Sequence, residues 1–201
     1  MSKVLYIKAN PKPEGESRTF KISDEFIETY KNEHPEDEII TLDLYKEKIG
    51  LLSSEDINIV FGPKNENSKK NPILKYAYQF AEVDKYIIAE PMWNLSIPAI
   101  LKAYIDYICV VGITFKYTEK GPVGLCTNKK AVNIVSRGGQ YDSEPNSSFE
   151  MGDRYLRTIF GFLGISDFTT ISADALDVIG NDVDSIVGKA IEIAKEKAQK
   201  F

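Results

Sequence analysis

The feature that most constrains this chain is the repeated switch between short, unbroken apolar runs and stretches with helical spacing. Val4-Leu5-Tyr6-Ile7 is the first run, followed after a polar loop by Phe20, Ile22, Phe26, Ile27 and Tyr30 at helical intervals. Glu38 to Leu44, Tyr86 to Ala89, Ala131 to Val135 and Phe168 to Ile171 read as further strands. Ile73 to Ala81, Ile97 to Val111, Tyr155 to Leu163 and Val183 to Lys200 read as helices, with Pro98 suited to a first turn. Such alternation predicts an α/β protein with an open, doubly wound, five-stranded parallel sheet. The strands lack strict polar alternation, as expected when helices cover both faces. The expected order is 2-1-3-4-5, within one domain spanning residues 1–201.

Two segments interrupt the pattern. Leu51 to Asn71 is long and polar and reads as a surface loop. Ile113 to Thr118, a turn through Gly121-Pro122, and Val123 to Leu125 read as a small inserted β-hairpin.

Composition removes several classes of function. A net charge of −5 and a pI near 5.1 argue against binding nucleic acid or an anionic membrane. His34 is the only histidine, so a histidine-based zinc site and a Ser-His-Asp triad are set aside, and no metal is expected. Cys109 and Cys126 have no ligand spacing and read as reduced thiols. The run ending at Ile7 is too short for a signal-peptide core, and Ile97 to Ile113 carries Lys102 and Asp106. The expected location is the cytoplasm.

In an open doubly wound sheet, ligands bind beyond the carboxyl ends of the strands, where the order reverses. After strand one, the loop opened by Asn10 ends in Ser17-Arg18-Thr19 at a helix start. Hydroxyls, free N–H groups and the helix dipole there suit a phosphate monoester, although Ser17 also reads as an ordinary cap. Neither a Gly-x-x-x-x-Gly-Lys run nor a Gly-x-Gly-x-x-Gly pattern occurs. After strand three, Pro91-Met92-Trp93-Asn94-Leu95-Ser96-Ile97-Pro98 places the only tryptophan on a stiff loop, either flanking a flat ring or plugging the core. After strand four, Ser136-Arg137-Gly138-Gly139 offers positive φ and close backbone approach, or merely a flexible turn. Together the loops describe a cargo with a phosphate at one end and a planar heterocycle at the other, as in FMN.

In these residues the chain resembles the FMN-dependent NADH azoreductases, flavodoxin-like enzymes also described as NADH:quinone oxidoreductases. The resemblance spans essentially the whole chain, through Pro91-Met92-Trp93-Asn94, Gly112 to Thr118, Gly121 to Leu125, Ser136-Arg137-Gly138-Gly139 and Gly161-Phe162-Leu163-Gly164-Ile165. It implies a flavodoxin-like fold, bound FMN, NADH as co-substrate, and a homodimer in which the neighbouring chain partly roofs each site. By position, Asn10, Ser17, Arg18 and Thr19 match phosphate-end contacts. Met92, Trp93, Asn94 and Leu95 match the segment along the isoalloxazine, and Ser136, Arg137, Gly138 and Gly139 its pyrimidine side. Tyr117 and Phe162 match aromatics near the substrate face. Many relatives instead have Ser at 10, Tyr at 93, Phe at 95 and a His after the double glycine. Trp93 therefore leaves FAD open, while Leu95 and Gln140-Tyr141 bear on substrate range.

The resemblance further implies a ping-pong cycle in which NADH reduces the flavin and a quinone or azo compound reoxidises it. No ionisable side chain in these loops is an evident general acid, which leaves water, the flavin, Tyr117 or Tyr141 as proton sources. One alternative is a quinone reductase for which azo dyes are accidental substrates. Others are a flavodoxin-type electron carrier and a non-flavin phosphate-binding domain. The hairpin and Phe160-Gly161-Phe162 would form a costly patch if left exposed, which supports a dimer.

Overall fold

The computed structural model describes residues 1–13 and 15–201. Five parallel strands form its central sheet: β1 (Lys3–Lys8), β2 (Glu38–Asp43), β3 (Lys85–Pro91), β6 (Lys130–Ser136) and β7 (Asp167–Ala173). Their order is β2-β1-β3-β6-β7. With the hairpin strands set aside, this is the expected 2-1-3-4-5 order. The hairpin itself is β4 (Phe115–Thr118) against β5 (Gly121–Gly124), antiparallel, with Thr118 opposite Gly121.

Successive residues of each strand point to opposite faces, and here both faces are dry. Tyr86 and Ile88 join a core built from α3 (Lys75–Glu82), α4 (Ala99–Ile108) and α5 (Gly152–Phe162). Ile87 and Ala89 join the opposite core, covered by α1 (Arg18–Glu33) and α6 (Val183–Ala198). This double burial explains the unbroken apolar runs. Phe160 lies within the first core, so of the Phe160-Gly161-Phe162 trio only Phe162 presents a partly exposed ring. No described helix is long and apolar enough to cross a membrane.

One expectation fails. Within Leu51 to Asn71, Ser54–Phe61 forms a helix, α2. Ser53 and Asp56 make a reciprocal capping box that satisfies the first orphan N–H groups. Val60 is buried in a small cluster with Leu74, Ala77 and Val110, and with the partly buried Ile59 it anchors this short helix to the body. Lys64 donates to the carbonyls of Ile59, Val60 and Gly62, which ties down the other end.

Candidate functional site

Four loops at the carboxyl ends of β1, β3, β6 and β7 surround one cleft enclosing about 130 Å3. Asn10, Lys12 and Arg18 line it from the first loop, and Pro91, Met92 and Trp93 from the second. Ser136, Arg137 and Gly138 form its third wall, while Leu176 and Asp177 close the fourth. The last two belong to a loop that sequence reasoning passes over, because the switch-point argument directs attention only to the loops after strands one, three and four.

Ser17 and Thr19 lie beneath the surface. Ser17 caps α1: its Oγ accepts the Phe20 N–H at 3.1 Å and the Asn10 amide at 2.9 Å. Thr19 Oγ1 is 2.6 Å from Ser136 Oγ, which joins the first and third walls. Both side chains are buried and tie the loops together, while the Ser17 O–H, an acceptor in both of these bonds, keeps its own proton to donate. The N–H groups of Arg18 and Thr19 have no acceptor within the helix and are free to donate to an anion.

The second wall carries backbone strain. Trp93 and Ser96 exchange both backbone hydrogen bonds, at 2.9 and 3.0 Å, around a two-residue turn. Its central residues, Asn94 and Leu95, have φ of +49° and +68°. Asparagine tolerates the left-handed region, but leucine loses about 1–2 kcal/mol there. The Met151 N–H donates to Leu95 O at 2.9 Å and holds the turn in place. Trp93 and Leu95 are each 40% exposed, so Trp93 is no core plug.

Neither Gly138 nor Gly139 adopts positive φ, and the atoms crowding them belong to side chains and not to backbone. A Cβ on Gly138 would lie 2.5 Å from Asp177 Oδ2, and one on Gly139 would lie 2.8 Å from the Tyr141 ring. The carbonyls of Arg137, Gly138 and Gly139 accept from Leu176, Asp177 and Ala175, all on the loop after β7. Among the described residues, the N–H groups of the two glycines keep no protein acceptor. Arg18 reaches across the mouth to Asp177 Oδ1 at 2.7 Å.

The donors and the shape fit FMN. Lys12, Arg18 and a helix N-terminus supply the positive end, and only Asp177 among the lining residues opposes them. Met92, Trp93 and the Cβ-free Gly138 wall suit a flat ring. Both cysteines are free, and burial pushes the Cys109 thiol up to about 12 and that of Cys126 up to about 11. Neither is therefore a reactive thiolate near neutral pH.

Tyr117 and Phe162 stand apart. Their rings cluster on Phe115, at centroid distances of 5.5 and 4.9 Å. Helix α5 starts beside Ser96 and Ile97, level with the cleft, and Phe162 ends it about 15 Å further down. Neither residue lines this chain's own cleft.

Sequence reasoning also misses Glu90, a buried acid at the end of an apolar strand next to the site. A lone charge in a run otherwise buried on both faces is the available signal.

Comparison with known proteins places these features. Residues 2–198 match the family model described as flavodoxin-like fold. A Clostridium acetobutylicum protein named FMN-dependent NADH:quinone oxidoreductase 2 is 69% identical over 201 residues, covering 100% of both chains. The azoreductase of Bacillus anthracis superposes with a TM-score of 0.90 at 36% identity, covering 100% of both chains. A Bacillus anthracis FMN-dependent NADH-azoreductase in complex with FMN gives 0.89 at 28% identity, covering 100% of this chain and 99% of that one. The chain belongs to the FMN-dependent NADH:quinone oxidoreductase family, within the flavodoxin-like fold.

Proposed function

We propose that the protein is an FMN-dependent oxidoreductase that takes hydride from NADH and reduces quinones and aromatic azo compounds. Four loops distant in sequence converge on one basic cleft with an exposed tryptophan, and this convergence carries the assignment. Bound FMN supplies the hydride and electron chemistry. The chain supplies orientation: Asn10 and the first turn of α1, with Arg18, hold the phosphate end. Met92, Trp93, Asn94 and Leu95 flank the ring, and Ser136, Arg137, Gly138 and Gly139 line its pyrimidine side, where the two glycines present free N–H donors. Residues 1–201 act as one flavin-binding domain.

The test is a visible spectrum of protein loaded with flavin and freed of excess, followed by NADH under argon. Retained yellow colour, bleached by NADH and restored by menadione or methyl red, is the expected result. Flavin that NADH cannot bleach would indicate the electron-carrier alternative. No retained FMN would overturn the assignment.

The working form is a cytoplasmic homodimer. Supporting this is the position of Tyr117, 66% exposed, and Phe162, both remote from their own cleft and available to roof a neighbour's. Trp93→Ala and Phe162→Ala chains, each slow alone, should regain activity when mixed, because one of the two sites in the mixed dimer is intact. No gain on mixing would refute the shared site.

A further inference from the structure

Beneath the cleft, on the α4–α5 side of the sheet, lies a layer of buried polar side chains. Glu90 pairs in register with Val135, so Asn133 and Arg137, two residues to either side, share its sheet face. Glu90 is fully buried, and neither of its carboxyl oxygens has a hydrogen-bond partner. Asn133 Oδ1 and Arg137 Nε are also unpartnered.

The other acids of the layer are supplied with donors. Glu150 receives the N–H groups of Gly152 at 3.0 Å and Asp153 at 2.9 Å, and lies 3.5 Å from Arg137 Nη2. Asp174 receives Arg137 Nη1 at 3.3 Å and the Tyr141 N–H at 3.4 Å. Asp153 receives Asn133 Nδ2 at 3.1 Å, Thr170 Oγ1 at 2.6 Å and Arg157 Nη2 at 3.2 Å. A charge on Glu90 would be desolvated and would face Glu150 and Asp153, with Arg137 and Asn133 its only favourable neighbours.

We propose that Glu90 is a neutral carboxylic acid in the folded protein, its O–H directed to Asn133 Oδ1 and its carbonyl to Arg137 Nε, and that it thereby positions Arg137 in the wall of the cleft. An acid offers one donor and one acceptor, the two functions that Asn133 Oδ1 and Arg137 Nε lack. A carboxylate offers only acceptors. Burial pushes the Glu90 carboxyl well above its ordinary range, while Arg137 pulls the other way. Arg137 carries the consequence to the site: its N–H donates to Ala173 O at 2.8 Å, its carbonyl accepts from Leu176, and Gly138 follows it.

Two measurements on the full chain test the neutral acid without flavin. The folded acid holds its proton above the ordinary value of 4.5, so the stability it contributes is complete below that pH. That stability is lost as pH rises toward the folded value. As pH rises above 4.5, urea unfolding should therefore increasingly favour Glu90→Gln over wild type, by up to a factor of about ten per pH unit until the folded value is reached. The infrared carbonyl band of a protonated carboxyl should be present in wild type and absent in Glu90→Gln. Parallel stability profiles, or identical spectra, would overturn the neutral acid.

The positioning role rests on the flavin placement proposed above, and FMN titration tests it. Glu90→Ala should bind FMN about tenfold more weakly, with Glu90→Gln restoring most of the affinity because its amide replaces both functions. Glu90→Met keeps the volume and serves if the alanine variant does not fold. Wild-type affinity in the folded Ala or Met variant would overturn the positioning role while leaving the flavin assignment intact.

Discussion

The two ends of the central sheet each hold a carboxyl group beside a cation, partly buried at one end and fully buried at the other, with opposite outcomes. At the amino end, Asp37 accepts the Ser2 N–H at 2.5 Å and the Tyr30 hydroxyl at 2.6 Å, with Lys85 Nζ at 3.8 Å. The Ser2 N–H, the Tyr30 hydroxyl and the nearby positive charges hold its carboxyl below the usual range, against the opposing effect of burial. At the carboxyl end, Glu90 has Arg137 nearby but no donor, and its carboxyl is pushed up. Full burial dominates at Glu90, whereas at the less buried Asp37 two hydrogen-bond donors outweigh a smaller desolvation.

The contrast extends beyond these two acids. Among the described residues, four of six buried unpartnered side-chain atoms belong to Glu90, Asn133 and Arg137, near the cleft. The strained Asn94-Leu95 turn lies at the same end. The amino end is built for stability and the carboxyl end for binding, and substitutions at the two ends should separate these properties.

The largest effect is expected at the amino end. Asp37→Ala leaves the Ser2 N–H and the Tyr30 hydroxyl without their acceptor, and should lower stability by about 2 kcal/mol at pH 7. FMN affinity should be unchanged. The folded carboxyl titrates below the ordinary 3.8, so its contribution is full above that pH and is lost as pH falls through the folded value. Urea unfolding at pH 7 and pH 3 checks this, with the difference from wild type shrinking in acid. A loss of flavin affinity in Asp37→Ala would break the division between the ends.

At the carboxyl end the order of effects reverses. Trp93 is 40% exposed, so Trp93→Ala should leave the unfolding midpoint nearly unchanged. It should weaken FMN binding about tenfold, read by quenching of flavin fluorescence, because one face of the ring loses its aromatic partner. The smallest effect concerns strain: Leu95→Gly removes the Cβ from a residue at φ +68°. Relief of strain, offset by the greater entropy of unfolded glycine, should raise stability by about 0.5 kcal/mol. Loss of stability in this variant would show that the turn is not strained.

Much of the fold is legible in the sequence because periodicity is local. Val4 to Ile7 and Tyr86 to Ala89 read as doubly buried strands without any knowledge of their neighbours. The hairpin is legible from Gly121-Pro122, and Ser17 reads correctly as a cap. Helix α2 is legible too, in the Ser53 and Asp56 spacing, but the polar surroundings of a helix with one buried residue obscure it.

The sequence by itself determined the alternation of strands and helices, the loops that meet at the cleft, and the motifs that carry the family resemblance. Tertiary structure alone decided that Ser17 and Thr19 bond to Asn10 and Ser136 across the walls, and that Leu176 and Asp177 close the cleft from a fourth loop. It also decided that the double glycine needs no positive φ, that Tyr117 and Phe162 lie far from their own cleft, and that neither Glu90 oxygen has a hydrogen-bond partner. The physical reason is range. Hydrophobic period and capping act over a few residues, whereas desolvation and hydrogen-bond supply depend on groups brought together from distant parts of the chain.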